Sequence, residues 1–143
     1  MKKILFVCHG NICRSPMGEY VMKALVAQAG RSHEFQIASA AVSREEIGNP
    51  VYPPARRELA KHGIRCDGHA ARQITRRDLA YYDRIYYMDG SNACYLRRLF
   101  GDDAAKCQPL LDHDVADPWY TGDFAATWED ILAGCRAILE ELA

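Results

Sequence analysis

The 143-residue chain has no apolar run approaching the roughly 20 residues that cross a bilayer, which excludes a helical membrane span. It has no excess charge of either sign: 18 basic and 19 acidic residues leave a formal charge of −1. Bulk attraction to nucleic acid or to an anionic membrane surface is therefore not expected, and any anion site must be local. There is no Gly-Lys-Ser or Gly-Lys-Thr, so a Walker nucleotide loop is excluded. Repeats and linkers are also missing, which leaves one domain over residues 1–143. The six cysteines (Cys8, Cys13, Cys66, Cys94, Cys107 and Cys135) include no Cys-x-x-Cys, and Cys8 and Cys13 have no second ligand pair at finger spacing. A structural zinc site does not fit, and neither metal nor cofactor is expected. Lys2 and Lys3 ahead of Ile4–Val7 and Cys8 imitate a lipoprotein signal, but four apolar residues are too few for its hydrophobic core. The segment reads instead as a first strand. Reduced thiols and a cytoplasmic location are the expectation.

What is present suits an ordinary globular core: 49% of residues are apolar and 26% charged. Residues 2–7 read as a buried strand. A helix follows, with Pro16 in its first turn, Ser15 placed to cap it, and Met17, Val21, Ala24 and Leu25 on its path to Gly30. Residues 35–41 are a second strand and 43–54 a turn-rich loop. A helix over 55–63 ends at Gly63. Residues 68–74 are irregular. Thr75 and Asp78 have capping-box spacing and open a short helix over 75–83. A third strand covers 84–89. Ser91 is placed to cap a helix over 92–101, a fourth strand covers 107–111, and 112–123 is a loop. The final helix is the clearest, with Phe124, Trp128, Ile131, Leu132, Cys135, Ile138, Leu139 and Leu142 on one face. Strands alternating with helices predict a parallel sheet of about four strands covered on both faces. Ligands bind such sheets beyond the C-terminal strand ends, where Cys8, Asp89 and the 112–122 loop should converge.

The stretch VCHGNICRSP, residues 7–16, carries the chemistry. Cys8 and Arg14 stand as Cys-x5-Arg in a short loop that ends at a predicted helix N-terminus. Free backbone N–H groups and the positive end of the helix dipole form an anion cradle there. Arg14 can add a planar two-point grip on a phosphate-like oxyanion. A thiol held in that field ionises readily, so Cys8 is expected to be a nucleophile aimed at a bound phosphoryl group. Gly10 lets backbone approach the anion, Asn11 tolerates a left-handed turn, and Ser15 can donate to the sulfur as it leaves. His9, Ile12 and Cys13 complete the loop. Asp117, stiffened by Pro118, fits a general acid that protonates a leaving oxygen.

This stretch resembles the active-site loop of the low-molecular-weight protein tyrosine phosphatases. The likeness continues through SAAVSREEIGNP, HGI, ARQITRRDL, YMDGSN and DPWYTGD, in order along nearly the whole chain. It implies a flavodoxin-like, three-layer α/β fold and a phosphocysteine intermediate formed without metal. Under it, Cys8 is the nucleophile, Arg14 binds the phosphoryl group, and Asp117 is the acid and then the base. Asn11, Ser15 and His69 match residues that shape the loop, His69 by ordering it rather than by moving protons. Asp89 and Ser91 match a supporting segment. At least one of Trp119 and Tyr120, both placed on the pocket wall, is expected to stack against the phosphotyrosyl ring. The substrates implied are phosphotyrosine proteins or small aryl phosphates, with inhibition by phosphate-like oxyanions. Cys13 is either a small filler or, as the resemblance supports, a disulfide partner that protects oxidised Cys8.

One departure concerns Glu45, which stands where many members carry an aromatic residue on the opposite pocket wall. It weakens stacking on that side and adds negative charge near a dianionic substrate, with Arg44, Arg56 and Arg57 available to offset it. Two alternatives share the fold. A phosphoarginine phosphatase resembles this loop but carries threonine where Ile12 stands. An arsenate reductase needs further cysteines on a mobile segment, and Cys94 and Cys107 do not resemble that arrangement. A non-catalytic phosphate-binding module is disfavoured because Cys8, Arg14 and Asp117 are all in place.

Overall fold

A computed structural model describes residues 1–142. Its centre is a four-stranded sheet of β1 (Lys2–Cys8), β2 (Phe35–Ala41), β3 (Arg84–Tyr87) and β4 (Cys107–Pro109). The strand order is β2-β1-β3-β4 and every pairing is parallel, which is the flavodoxin-like arrangement expected. The helices are α1 (Arg14–Gln28), α2 (Pro53–Lys61), α3 (Arg76–Tyr81), α4 (Gly90–Phe100), α5 (Pro118–Thr121) and α6 (Phe124–Glu141). None of them is long and apolar enough to cross a membrane.

The central strand explains the layers. Ile4, Leu5, Phe6 and Val7 are all fully buried, as a parallel strand covered on both faces requires. Alternate residues point to opposite faces. Ile4 and Phe6 join Met17 and Val21 of α1 and Trp128 and Ile131 of α6. Leu5 and Val7 join Leu79 of α3 and Leu96 and Phe100 of α4. Helix α1 lies close on the sheet because residue 18 is glycine. A β-carbon there would sit 2.8 Å from Cδ1 of the buried Phe6.

The helix ends follow local chemistry, with two corrections to the expectations. Gly30, at φ 69°, ends α1 in a left-handed turn, with Gly30 N–H donating to Ala27 O and Arg31 N–H to Val26 O. The Thr75–Asp78 capping box is formed. Ser15 does not cap α1: the N-cap is Cys13, without a side-chain bond, and Ser15 lies in the first turn. Ser91 does not cap α4 either. Asp89 does, paired with Asn92 in a capping box, because a carboxylate one residue before Gly90 reaches the free N–H groups first.

Other boundaries shift by a few residues. Helix α2 starts at Pro53 and ends at Lys61, and β3 and β4 stop at Tyr87 and Pro109, short of the predicted 89 and 111. The predicted loop at 112–123 holds a single helical turn, α5, capped by Asp117. Residues 72–74 run beside the end of β2, with Ala41 N–H donating to Arg72 O and Ile74 N–H to Ala41 O.

Candidate active site

Strand order reverses between β1 and β3, because β2 lies on one side of β1 and β3 on the other. Cys8 ends β1 at this switch point, beneath a cleft of about 600 Å³. The loop after Cys8 turns tightly into α1. Asn11 is the non-glycine residue at positive φ among the described residues, at 60°, the left-handed conformation that asparagine tolerates.

A buried network holds that turn. Asn11 Nδ2 donates to Ser15 Oγ at 2.8 Å and to Ser39 Oγ at 2.9 Å, while its Oδ1 accepts from Arg72 N–H at 3.2 Å. Ser39 Oγ in turn donates to Glu19 Oε1 at 2.6 Å. His69 Nε2 donates to the Asn11 carbonyl at 2.7 Å, which places a proton on that nitrogen. Asn11, Ser15 and His69 thus stand behind the loop and brace it; their side chains do not line the cleft. Around the Cys8 sulfur, Ser15 N–H donates at 3.3 Å and Ser15 Oγ lies at 3.1 Å.

Arg14 is only 2% exposed and lies at the base of the cleft. Its NH1 donates to Asp89 Oδ2 at 2.7 Å and to the Val115 carbonyl at 2.8 Å. NH2 makes a 3.4 Å contact with Asp117 Oδ2, and Nε has no partner among the described residues. One edge of the guanidinium is anchored and the other is left for a ligand. Burial alone would lower the Arg14 pKa, but the negative charges of Cys8, Asp89 and Asp117 outweigh it and push it up. The guanidinium is therefore a permanent cation.

Asp117 comes from the opposite side. Val115 N–H donates to the Met88 carbonyl at 2.9 Å, pinning the segment to the end of β3. Asp117 Oδ1 accepts from Trp119 N–H at 3.1 Å, so the carboxylate is aimed by its own helical turn. Trp119 and Tyr120 both line the cleft, at 53% and 85% exposure. Trp119 packs on Tyr52 with ring centroids 4.8 Å apart.

Other expected residues also line the cleft: Cys8, His9, Gly10, Ile12, Cys13 and Glu45, as well as Asp89 and Ser91. At Gly10 a β-carbon would meet Glu46 Cγ at 3.3 Å, so glycine there makes room for the neighbouring loop. Cys13 is buried, and burial, followed by the charges of Cys8 and Asp117, holds its pKa far above the ordinary thiol range.

The expected arginine offset to Glu45 is not found. Arg44, Arg56 and Arg57 stay out of the cleft lining, and Arg56 is bonded to Asp67 at 2.6 Å. Glu45 is instead met by His9, Nε2 to Oε2 at 3.0 Å. Three lining residues, Glu46, Asn92 and Tyr95, escaped the sequence reading. Tyr95 lies one helical turn beyond Ser91, so the same face of α4 carries both, and that spacing was the available signal. Among the described residues no group of three or more His, Cys, Asp or Glu is arranged to hold a metal ion.

The family model described as low molecular weight phosphotyrosine protein phosphatase matches residues 3–143. The chain is 37% identical to the low molecular weight protein-tyrosine-phosphatase YfkJ of Bacillus subtilis, over 99% of this chain and 96% of the relative. The crystal structure of YfkJ superposes with a TM-score of 0.95, covering 99% of this chain and 94% of that one. Identity is 40% to the low molecular weight phosphotyrosine protein phosphatase of Rattus norvegicus, over 98% of this chain and 95% of the relative. The crystal structure of SP-PTP, a low molecular weight protein tyrosine phosphatase of Streptococcus pyogenes, has a TM-score of 0.92 and 38% identity, covering all of this chain and 94% of that one. A match of that extent, on a cleft with a cysteine and a buried arginine at its base, places the chain in the low molecular weight phosphotyrosine protein phosphatase family.

Proposed function

We propose that the chain hydrolyses phosphotyrosine in proteins, and small aryl phosphates, through a phosphocysteine intermediate. The observation that carries the reading is the buried Arg14, anchored on one edge and open on the other, beside the Cys8 sulfur at the base of the cleft. The phosphoryl group is gripped by the open edge of Arg14 and by loop N–H groups. The Cys8 thiolate attacks phosphorus and the P–O bond to the tyrosyl oxygen breaks. Asp117 gives that oxygen its proton. Asp117 then takes a proton from water as the water attacks phosphocysteine, the P–S bond breaks, and the thiolate departs toward the Ser15 donors. Phosphate leaves, and each group returns to its starting state. Ile12 and Trp119 offer apolar surface to the ring.

A panel of phosphotyrosyl, phosphoseryl and phosphoarginyl peptides tests the substrate class. The phosphotyrosyl peptide is expected to be turned over at least about tenfold faster than the others, because one extra apolar contact in a pocket is worth roughly 10–200-fold. Ile12→Thr is expected to erode that margin by weakening phosphotyrosine turnover and admitting phosphoarginine. Preferential phosphoarginine turnover by the unaltered protein overturns the reading.

Cys13 shares the cleft with Cys8, and its high pKa keeps it a thiol at neutral pH. We propose that peroxide converts Cys8 to a sulfenic acid, which condenses with the Cys13 thiol to a disulfide with loss of water, so that dithiothreitol restores activity. Phosphate in the cradle is expected to protect. Cys13→Ser is expected to keep most turnover but to lose recovery after peroxide. Mass spectrometry should find the Cys8–Cys13 peptide, and full recovery in Cys13→Ser excludes the pairing.

A further inference from the structure

One wall of the cleft is built from residues that the phosphoryl chemistry does not use. His9 follows the nucleophile, and its carbonyl accepts from Ser43 N–H at 3.1 Å and from Ser43 Oγ at 2.8 Å. Its ring meets Tyr95 of α4 edge-on, with centroids 5.3 Å apart, and its Nε2 lies 3.0 Å from Glu45 Oε2. The imidazole is thus wedged between the loop after β2 and α4, and it holds Glu45 on the cleft wall.

Charge is distributed unevenly along the depth of this cleft. At the base, Asp89 and Asp117 face Arg14. At the mouth stand Glu45 and Glu46, and among the described residues no lysine or arginine besides Arg14 lines the cleft. Glu46 Oε2 accepts from Asn49 Nδ2 at 2.6 Å, so it is partly engaged by a neutral amide. The Glu45 side chain is 68% exposed, and its Oε1 has no partner among the described residues. A phosphotyrosyl side chain fills the depth with its ring, so the exposed mouth meets the peptide on either side of it.

We propose that Glu45, held by His9, is a specificity-determining residue that favours phosphotyrosyl peptides with arginine or lysine beside the phosphotyrosine and disfavours those with glutamate or aspartate there. This rests on the phosphotyrosine reading above. The cation and the phosphoryl dianion bind at different depths, so one substrate satisfies both ends of the cleft. An acidic flank would bring like charges together at the mouth, with no lysine or arginine there to relieve them.

The test uses three phosphotyrosyl peptides identical except for arginine, alanine or glutamate beside the phosphotyrosine, with p-nitrophenyl phosphate alongside. At low salt kcat/KM should fall in the order arginine, alanine, glutamate, spanning about tenfold, the sum of one partly exposed attraction and one repulsion. The span should contract as salt rises toward 1 M, where the screening length falls to about 3 Å. Glu45→Gln should compress the span to about threefold or less, and Glu45→Lys should invert the order; a merely structural wall would not reverse sign with charge. His9→Phe should also narrow the span by releasing Glu45. Equal kcat/KM on the three peptides, or an order that survives Glu45→Lys, overturns the assignment while leaving the phosphatase reading intact. Failure to turn over p-nitrophenyl phosphate would instead overturn the phosphatase reading itself.

Discussion

Cys8→Ser is expected to lower turnover by on the order of 10⁶-fold, the scale seen when a covalent nucleophile is removed. A serine hydroxyl in the same place is not ionised, so the step that forms the covalent intermediate loses its attacking anion. Binding should survive. The Arg14 bonds to Asp89 and Val115 and the bracing of the loop by Asn11 and His69 do not involve the sulfur. Calorimetry should therefore find vanadate or phosphate still bound by a protein that no longer cleaves p-nitrophenyl phosphate. Appreciable turnover by Cys8→Ser would remove the phosphocysteine intermediate from the mechanism. Loss of oxyanion binding together with turnover would indicate instead that the substitution had collapsed the loop.

Asp117→Asn is the second large effect expected. Its amide oxygen can still accept from Trp119 N–H, so the turn at α5 should persist. What disappears is the proton for the leaving group. Turnover of a phosphotyrosyl peptide should fall about 10²–10⁴-fold, the usual contribution of a positioned acid. An activated aryl ester such as a dinitrophenyl phosphate leaves readily unprotonated and should lose less than about tenfold in bond cleavage. The measurement is the dependence of single-turnover rate on leaving-group pKa, which should steepen in the variant. Equal losses on good and poor leaving groups would take Asp117 out of the acid role.

Much of the fold follows from local rules that the chain states openly. Residues 4–7 are a short apolar run that ends at turn signals, and such a run suits a buried parallel strand. The face of α6 and the Thr75–Asp78 box are spelled at short range, so the sequence alone carried them. The same holds for Cys8 and Arg14, because a strand, a short loop and a helix are contiguous and must bring their ends together.

Elsewhere, contacts far apart in sequence decided. Ser15 looks like a helix cap before Pro16, yet the loop turns at Asn11 and the helix begins two residues earlier, at Arg14, which directs the hydroxyl to Cys8. That turn is stabilised by Ser39, His69 and Arg72, partners 28 to 61 residues away that no local pattern reveals. Helix α5 is four residues long, too short to show a period. The wall at Glu45 is the clearest case. Neighbouring arginines suggested that its charge was offset, but side-chain direction is set by packing, and the structure turns Arg56 to Asp67 and brings His9 to Glu45 across 36 residues. The sequence by itself determined the Cys8–Arg14 loop and the alternation of strands with helices, because each is written at short range. Only the tertiary structure decided what the cleft mouth offers a substrate, because that surface is assembled from three loops and a helix that meet only when the sheet has closed.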